Sequence, residues 1–268
     1  IGSVDLSIAR ETATGIPYLP GSSIKGVLRD RVNQRDSGLC RKIFGPPPES
    51  GDEHAGSLQF GDARLICMPI RSLAGTFCYA TSPYLLERLA RDFSEAGIEF
   101  KLPPSPKDVE QIIVGSESQL LMGESVVLED LKLKAKTEGS VDVAAKLLGK
   151  LAFGESSPSL ASLPKRLAIV HDDVMSYLLE QATEVRTRIR INDETKTVAK
   201  GALWTEECLP AESILAALLV AQPPKSVGLT PEQVFEHFQA DIKQNVQLGG
   251  NATIGRGQCQ LQMVGSKS

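Results

Sequence analysis

Three segments carry residue types whose spacing suits an anionic ligand. Gly21-Ser22-Ser23-Ile24-Lys25-Gly26 combines the free amides of a helix start, two hydroxyls and a lysine one turn in. That combination can hold a phosphate. Gly26 would let a ligand backbone come close. An ordinary capped helix explains the same letters equally well. Gly249-Gly250-Asn251-Ala252-Thr253-Ile254-Gly255-Arg256-Gly257 has the glycine density of a phosphate-cradling loop. It lacks the Gly-Lys-Ser/Thr of a Walker loop, and it leads into a strand, which excludes a dinucleotide fingerprint. A plain helix-to-strand turn would look the same. Arg186, Arg188 and Arg190 are spaced by two and so share one strand face. Such a face is most often solvated. Residues 183–200 nevertheless hold five basic and three acidic groups in a chain of net charge −4, which tilts the reading toward an anionic partner.

Acid–base chemistry has fewer candidates. Asp5 lies in a loop and Glu11 follows it. Asp172-Asp173 reads as a helix cap, and Glu206-Glu207 beside Trp204 reads as an exposed strand end. No Ser/His/Asp or Cys/His grouping stands out, and no HExxH motif occurs. Five scattered cysteines (Cys40, Cys67, Cys78, Cys208, Cys259) form no CxxC pair, and there are three histidines. Reduced thiols, with no structural zinc site, are the expectation.

The elements that must position these groups follow from pattern. At 268 residues, 41% hydrophobic and 23% charged, the chain has ordinary globular composition, which excludes a fibre, a coiled coil or a disordered tail. Its longest apolar run, residues 214–221, is far short of the ~20 residues a membrane span needs. The acidic balance argues against a generic nucleic-acid coat and leaves only local basic patches. Residues 1–20 read as a polar loop. A helix capped by Ser22 or Ser23 follows, with Ile24, Val27, Leu28 and Val32 as its apolar stripe and Lys25 and Arg29 away from it. Residues 45–56 form a breaker-rich loop. Extended segments run from Ser57 to Ala80, and Ser82-Pro83 opens a helix to about Gly97. Residues 101–165 look like an insertion. Leu167 to Val170 reads as a buried strand and Asp172 to Gln181 as a helix. Residues 183–191 and 197–207 read as a β-hairpin with Val185, Ile189 and Ile191 opposite the arginines. Leu215 to Val220 reads as a central strand. Thr230-Pro231-Glu232-Gln233 is a capping box whose helix carries Val234, Phe238, Ile242 and Val246 to about Leu248, and Gln258 to Val264 reads as a last strand. Composition and spacing reach an α+β domain with a polyanionic partner, and stop there.

Together the segments are more specific. Residues 1–11, then Thr14-Gly15-Ile16-Pro17-Tyr18-Leu19-Pro20-Gly21-Ser22-Ser23-Ile24-Lys25-Gly26-Val27-Leu28-Arg29, resemble the opening of the RAMP superfamily of CRISPR proteins, whose PGSSLKGxxR pattern they match nearly letter for letter. Residues 249–257 are similar to that family's C-terminal glycine-rich loop. Residues 65–83, with Pro69-Ile70-Arg71-Ser72-Leu73-Ala74-Gly75 and Thr81-Ser82-Pro83, and residues 202–210 resemble the backbone subunit of the type III-B (Cmr) effector rather than the type III-A one.

The resemblance implies an α+β, ferredoxin-like (RRM-like) palm at about 1–100 and 209–268. It also implies an insertion at about 101–165 and a β-hairpin thumb at about 183–208. It implies copies of the chain stacked along a guide RNA, with other Cmr-type effector subunits, in a prokaryotic cytoplasm and away from membranes. Complementary target RNA would be cut at regular intervals beside nucleotides that the thumbs push out. Asp5 occupies the place of the family's cleaving loop aspartate, holding a divalent ion, Mg²⁺ by chemistry, and Glu206 is the secondary catalytic candidate. Cleavage through the RNA 2′-OH would leave a 2′,3′-cyclic phosphate and a 5′-OH. Ser22, Ser23, Lys25, Arg29, Gly249, Gly250, Asn251 and Arg256 would hold guide phosphates, with Arg71, Arg186 and Arg188 as further RNA contacts. Two departures stand out. The strand and glycine-rich loop that precede the family's VDL run are not in this sequence, and the family's Asp-Leu-Pro is Asp5-Leu6-Ser7 here. The alternative is a catalytically inactive structural subunit that binds guide RNA. A guide-processing nuclease would need acid–base chemistry, and no histidine lies within residues 1–53.

Overall fold

The computed structural model describes residues 4–47, 54–192, 194–242 and 245–265. Ile1-Gly2-Ser3 of the opening motif, residues 48–53 of the breaker-rich loop and Asp193 of the hairpin turn lie outside the described residues. The elements in chain order are β1 (Tyr18–Leu19), α1 (Gly21–Arg35), α2 (Ser37–Phe44), β2 (Leu58–Phe60), β3 (Ala63–Arg71), β4 (Phe77–Thr81), α3 (Pro83–Glu95), β5 (Gln111–Val114), β6 (Ser125–Leu128), β7 (Leu131–Thr137), α4 (Gly139–Phe153), α5 (Leu163–Arg166), β8 (Leu167–Val170), α6 (Asp172–Gln181), β9 (Glu184–Ile191), β10 (Val198–Cys208), β11 (Ile214–Ala216), β12 (Leu219–Ala221), α7 (Pro231–Ile242), β13 (Val246–Gln247) and β14 (Gln258–Cys259).

Eight strands form a mixed central sheet in the order β1-β3-β4-β8-β5-β7-β6, with β11 also on β3. The β4–β8 and β5–β7 pairs are parallel and the rest antiparallel. Both faces of the central strands are covered, which is why β8 reads Leu-Ala-Ile-Val without alternation. Ala168 and Val170 pack with Met175 and Leu178 of α6 on one face. Leu167 and Ile169 pack with Leu89 of α3 and Leu148 of α4 on the other. A further core joins α1, α2 and α7: Ile24, Leu28 and Val32 meet Phe44 and Phe238, whose rings stand edge-on at 6.2 Å. The α+β class expected from the sequence is the class observed. Residues 101–165, set apart in the sequence as an insertion, supply β5, β6 and β7 and are continuous with the sheet. Among the described residues no helix is long and apolar enough to cross a membrane.

Local signals hold where they are short in range. The Thr230 box closes reciprocally: the Thr230 amide donates to Gln233 Oε1 at 2.9 Å, and the Gln233 amide donates to Thr230 Oγ1 at 3.3 Å. Three expectations need correction. Neither Ser22 nor Ser23 caps α1: Pro20 is the cap residue, and the Gly21 amide donates instead to Asp62 Oδ1 at 2.8 Å. The run Leu215 to Val220 is not one strand; it is divided between β11 on β3 and β12 on β2, because the chain leaves one sheet for the other. Val246 lies in β13 rather than in α7, and the last strand is only Gln258–Cys259.

Candidate functional site

Asp5 lies in the loop that runs beside β10. One edge of β10 pairs with β9, from Cys208 opposite Glu184 to Leu203 opposite Ile189. The other edge receives the loop: the Leu6 amide donates to the Thr205 carbonyl at 3.0 Å, and the Glu207 amide donates to the Leu6 carbonyl at 2.9 Å. The Thr205 amide and hydroxyl both donate to Asp5 Oδ2, at 2.8 and 2.9 Å. Those two bonds, the amide one first, hold the Asp5 carboxyl below the ordinary carboxylate value. Asp5 itself is exposed.

The loop is anchored a few residues on. The Arg10 guanidinium donates to Glu207 Oε1 at 2.6 Å, to the Leu179 carbonyl at 3.0 Å and to the Gly15 carbonyl at 2.9 Å. Burial alone would raise the Glu207 carboxyl, but donors from Arg10, Thr183 and the Ile8 amide outweigh it and hold it low. Glu11 continues the anchor, accepting from Arg88 Nη1 at 2.8 Å.

The arginine face of the hairpin completes the site, and it is not a bare cationic face. Glu206 is 8% exposed, not the exposed strand end expected. Its Oε1 accepts from Trp204 Nε1 at 2.8 Å, and its Oε2 accepts from Arg188 Nε at 3.2 Å and Asn251 Nδ2 at 3.0 Å. The Trp204 bond foremost, with Arg188 and Asn251, outweighs burial and keeps the carboxyl low. Glu184 on the neighbouring strand has a matching role, joining Arg186 Nη2 at 2.8 Å and Arg256 Nη1 at 3.4 Å. Each glutamate thus binds one hairpin arginine and one side chain of the glycine-rich loop. Arg190 is exposed on the same face. The opposite face is apolar and exposed, with Ile189 at 49% and Leu203 at 65%.

The glycine-rich loop is shaped for this contact. Gly257 has a φ of +68°, and a Cβ there would meet the Leu248 carbonyl oxygen. Asn251 itself takes a left-handed φ of 62°, which aims its amide at Glu206. Gly249 and Gly250 are exposed, with open space where a Cβ would project.

The structure thus brings Arg186, Arg188, Glu206, Asn251 and Arg256 together at the hairpin base. The α1 candidates form a separate group. Ser22 and Ser23 are exposed at the first turn, but the Asp62 carboxylate already sits on the Gly21 amide. Gly21 requires glycine, since a Cβ there would strike the Phe60 and Gly61 carbonyls, and Gly26 has open space where a Cβ would project. Lys25 is half-buried, and its side chain makes no hydrogen bond or ion pair among the described residues. Arg29 donates to the Pro46 carbonyl at 3.0 Å and the Phe44 carbonyl at 3.5 Å, tying α1 to the end of α2. Arg71, at the end of β3, pairs with Glu129 and is 76% exposed. Asp172 accepts from the Tyr84 amide at 3.0 Å, so it caps α3, and His171 caps its own helix α6. Sequence reasoning missed Thr205, Arg10 and Asp62. Nothing local marks them, because each acts on a residue far along the chain.

Among the described residues no group of three or more His, Cys, Asp or Glu side chains is arranged to hold a metal ion. Asp5 Oδ1 receives no hydrogen bond among the described residues, so one carboxylate oxygen remains available. A Mg²⁺ site of one carboxylate, completed by phosphate oxygens and water, fits that donor set, whereas an all-protein cage does not.

The chain is similar to known proteins along nearly its whole length. The family described as the RAMP superfamily matches residues 1–260. The CRISPR system Cmr endoribonuclease Cmr4 of Pyrococcus furiosus is 35% identical over 262 residues, covering 96% of this chain and 87% of the relative. The CRISPR system CMR subunit Cmr4 of Saccharolobus solfataricus is 24% identical over 285 residues, covering 97% and 89%. The crystal structure of oligomeric Cmr4 from Pyrococcus furiosus aligns with a TM-score of 0.76 at 27% identity, over 96% of this chain and 90% of that one. A type III-B Cmr-beta complex bound to cognate target RNA contains a chain of similar fold, with a TM-score of 0.73 at 20% identity over 98% and 92%.

Proposed function

The chain belongs to the RAMP superfamily, and on that premise we propose that it is the RNA-cleaving backbone subunit of a type III-B CRISPR effector. The observation that carries the reading is Asp5: an exposed carboxylate, bound on one oxygen and open on the other, beside a hairpin that presents arginines. Copies of the chain stack along a guide RNA, with other effector subunits, in a prokaryotic cytoplasm. Complementary target RNA pairs with the guide, so base pairing reads sequence while the protein reads backbone and shape.

Guide phosphates lie against Ser22, Ser23 and Lys25 at the start of α1, with Arg29 beside them. They lie also against Gly249, Gly250, Asn251 and Arg256, the glycines acting through their amides. Arg186 and Arg188, and Arg71 farther off, add charge. The exposed apolar face of the hairpin presses into the duplex and turns one target nucleotide out. At that nucleotide the 2′-oxygen forms a bond to the adjacent phosphorus as the bond to the 5′-oxygen breaks. The proton leaves the 2′-hydroxyl and one arrives on the 5′-oxygen, giving a 2′,3′-cyclic phosphate and a 5′-OH. Because the RNA carries its own nucleophile, the chain's task is alignment and charge placement. Asp5 holds its open oxygen toward the reacting phosphate. A divalent ion bound there would offset the charge that builds on the phosphate oxygens.

The test is cleavage of a guide-complementary RNA by the assembled complex, wild type against Asp5→Ala, in Mg²⁺ and in EDTA. Evenly spaced cuts that vanish in the variant and in EDTA are expected. Unchanged cuts in Asp5→Ala would make the chain a guide-binding scaffold, and cuts that survive EDTA would remove the ion.

A further inference from the structure

We propose that Thr205 is the positioning residue for Asp5, its hydroxyl holding the carboxylate so that Oδ1 alone faces the RNA. The inference rests on the reading of Asp5 given above. The bonds are reciprocal. The Asp5 amide donates to Thr205 Oγ1 at 3.1 Å, while the same hydroxyl donates to Asp5 Oδ2 at 2.9 Å. A hydroxyl has one proton. The Asp5 amide can only donate to that oxygen and the ionised carboxylate can only accept, so the proton is directed to the carboxylate. With the Thr205 amide also on Oδ2 at 2.8 Å, both donors lie on one oxygen and the carboxylate cannot rotate freely. The next residue is bound through its backbone as well: the Leu6 amide donates to the Thr205 carbonyl, and the Leu6 carbonyl accepts from the Glu207 amide. Proline is absent from the loop at Ser7, and this clamp supplies from β10 the restraint that a proline would supply locally.

The charged groups on the packed elements are otherwise engaged. On β10, Glu206 is held by Trp204, Arg188 and Asn251, and Glu207 by Arg10 and Thr183. On β9, Glu184 joins Arg186 and Arg256, and Arg190 is exposed. Asp5 forms no ion pair among the described residues, so its bonds to Thr205 are what hold the carboxylate.

Thr205→Val keeps the β-branched shape that suits a strand and removes only the hydroxyl, while Thr205→Ser keeps it. The complex assembled from the full chain and guide RNA is assayed for guide-RNA binding and for single-turnover cleavage of a complementary RNA. Thr205→Val is expected to bind guide RNA as wild type and to cleave about ten- to a hundredfold more slowly. Thr205→Ser is expected to restore the rate. An active Asp5→Ala complex would overturn the reading of Asp5, and this inference with it. An inactive Asp5→Ala complex beside a Thr205→Val complex of wild-type rate would overturn the Thr205 role alone. A Thr205→Ser complex as slow as Thr205→Val would do the same.

Discussion

At the scale of single residues, two carboxylates that look alike in the sequence have opposite situations. Asp5 is exposed with an open oxygen, whereas Glu206 is buried and carries three donors. Those three donors hold Glu206 between the hairpin and the glycine-rich loop, and we propose that it joins the two rather than meeting a reacting phosphate. Glu206→Ala is expected to weaken guide-RNA binding, as Asn251 and Arg188 lose their common partner, while the cleavage rate at saturating RNA stays near wild type. A collapsed rate with intact binding would return Glu206 to the chemistry. Glu11 carries a pH prediction. The Arg88 bond, foremost, holds its carboxyl below the ordinary value. The stabilisation is therefore present above the unfolded value of ~4.3 and fades as pH falls through the lower folded value. Melting curves should show Glu11→Gln less stable than wild type at pH 7 and the gap closing below about pH 4.

At the scale of elements, legibility depends on range. The capping box before α7, the helix α6 and the strand β8 stand where the sequence places them, because each is written in neighbouring residues. The hairpin is legible from its spacing of two, and its register sets Arg186 opposite Glu206. The apolar run after the hairpin reads as one strand and folds as two, since hydrophobicity does not say which sheet a strand will join. Phe238 of α7 lies within the core shared with α1 and α2 and is 1% exposed. Phe238→Ala should cost about 3–5 kcal/mol in denaturant unfolding. A loss under about 1 kcal/mol would mean that α7 packs more loosely than its rings suggest.

At the scale of the whole molecule, a chain of net charge −4 is proposed to bind RNA through local surfaces. Binding then depends on which cations are free. Lys25 has no partner among the described residues, whereas Arg29 is bonded to two carbonyls. Lys25→Ala should lower the salt slope of RNA binding by about 0.7 for a single lost phosphate contact. Arg29→Ala should act on the melting temperature first. Equal slopes for wild type and Lys25→Ala would place Lys25 off the RNA. Motif, periodicity and capping are properties of near neighbours. The amino-acid order was therefore enough for the class of fold, the hairpin with its arginine face, the glycine-rich loop and the aspartate in its opening loop. Which groups those residues meet was settled only by folding. Asp5 finds Thr205 across 200 positions, Glu206 finds Asn251 across 45, and the Gly21 amide finds Asp62 across 41. Hydrogen bonds act over about 3 Å, and only the folded chain brings residues so far apart in sequence within that reach.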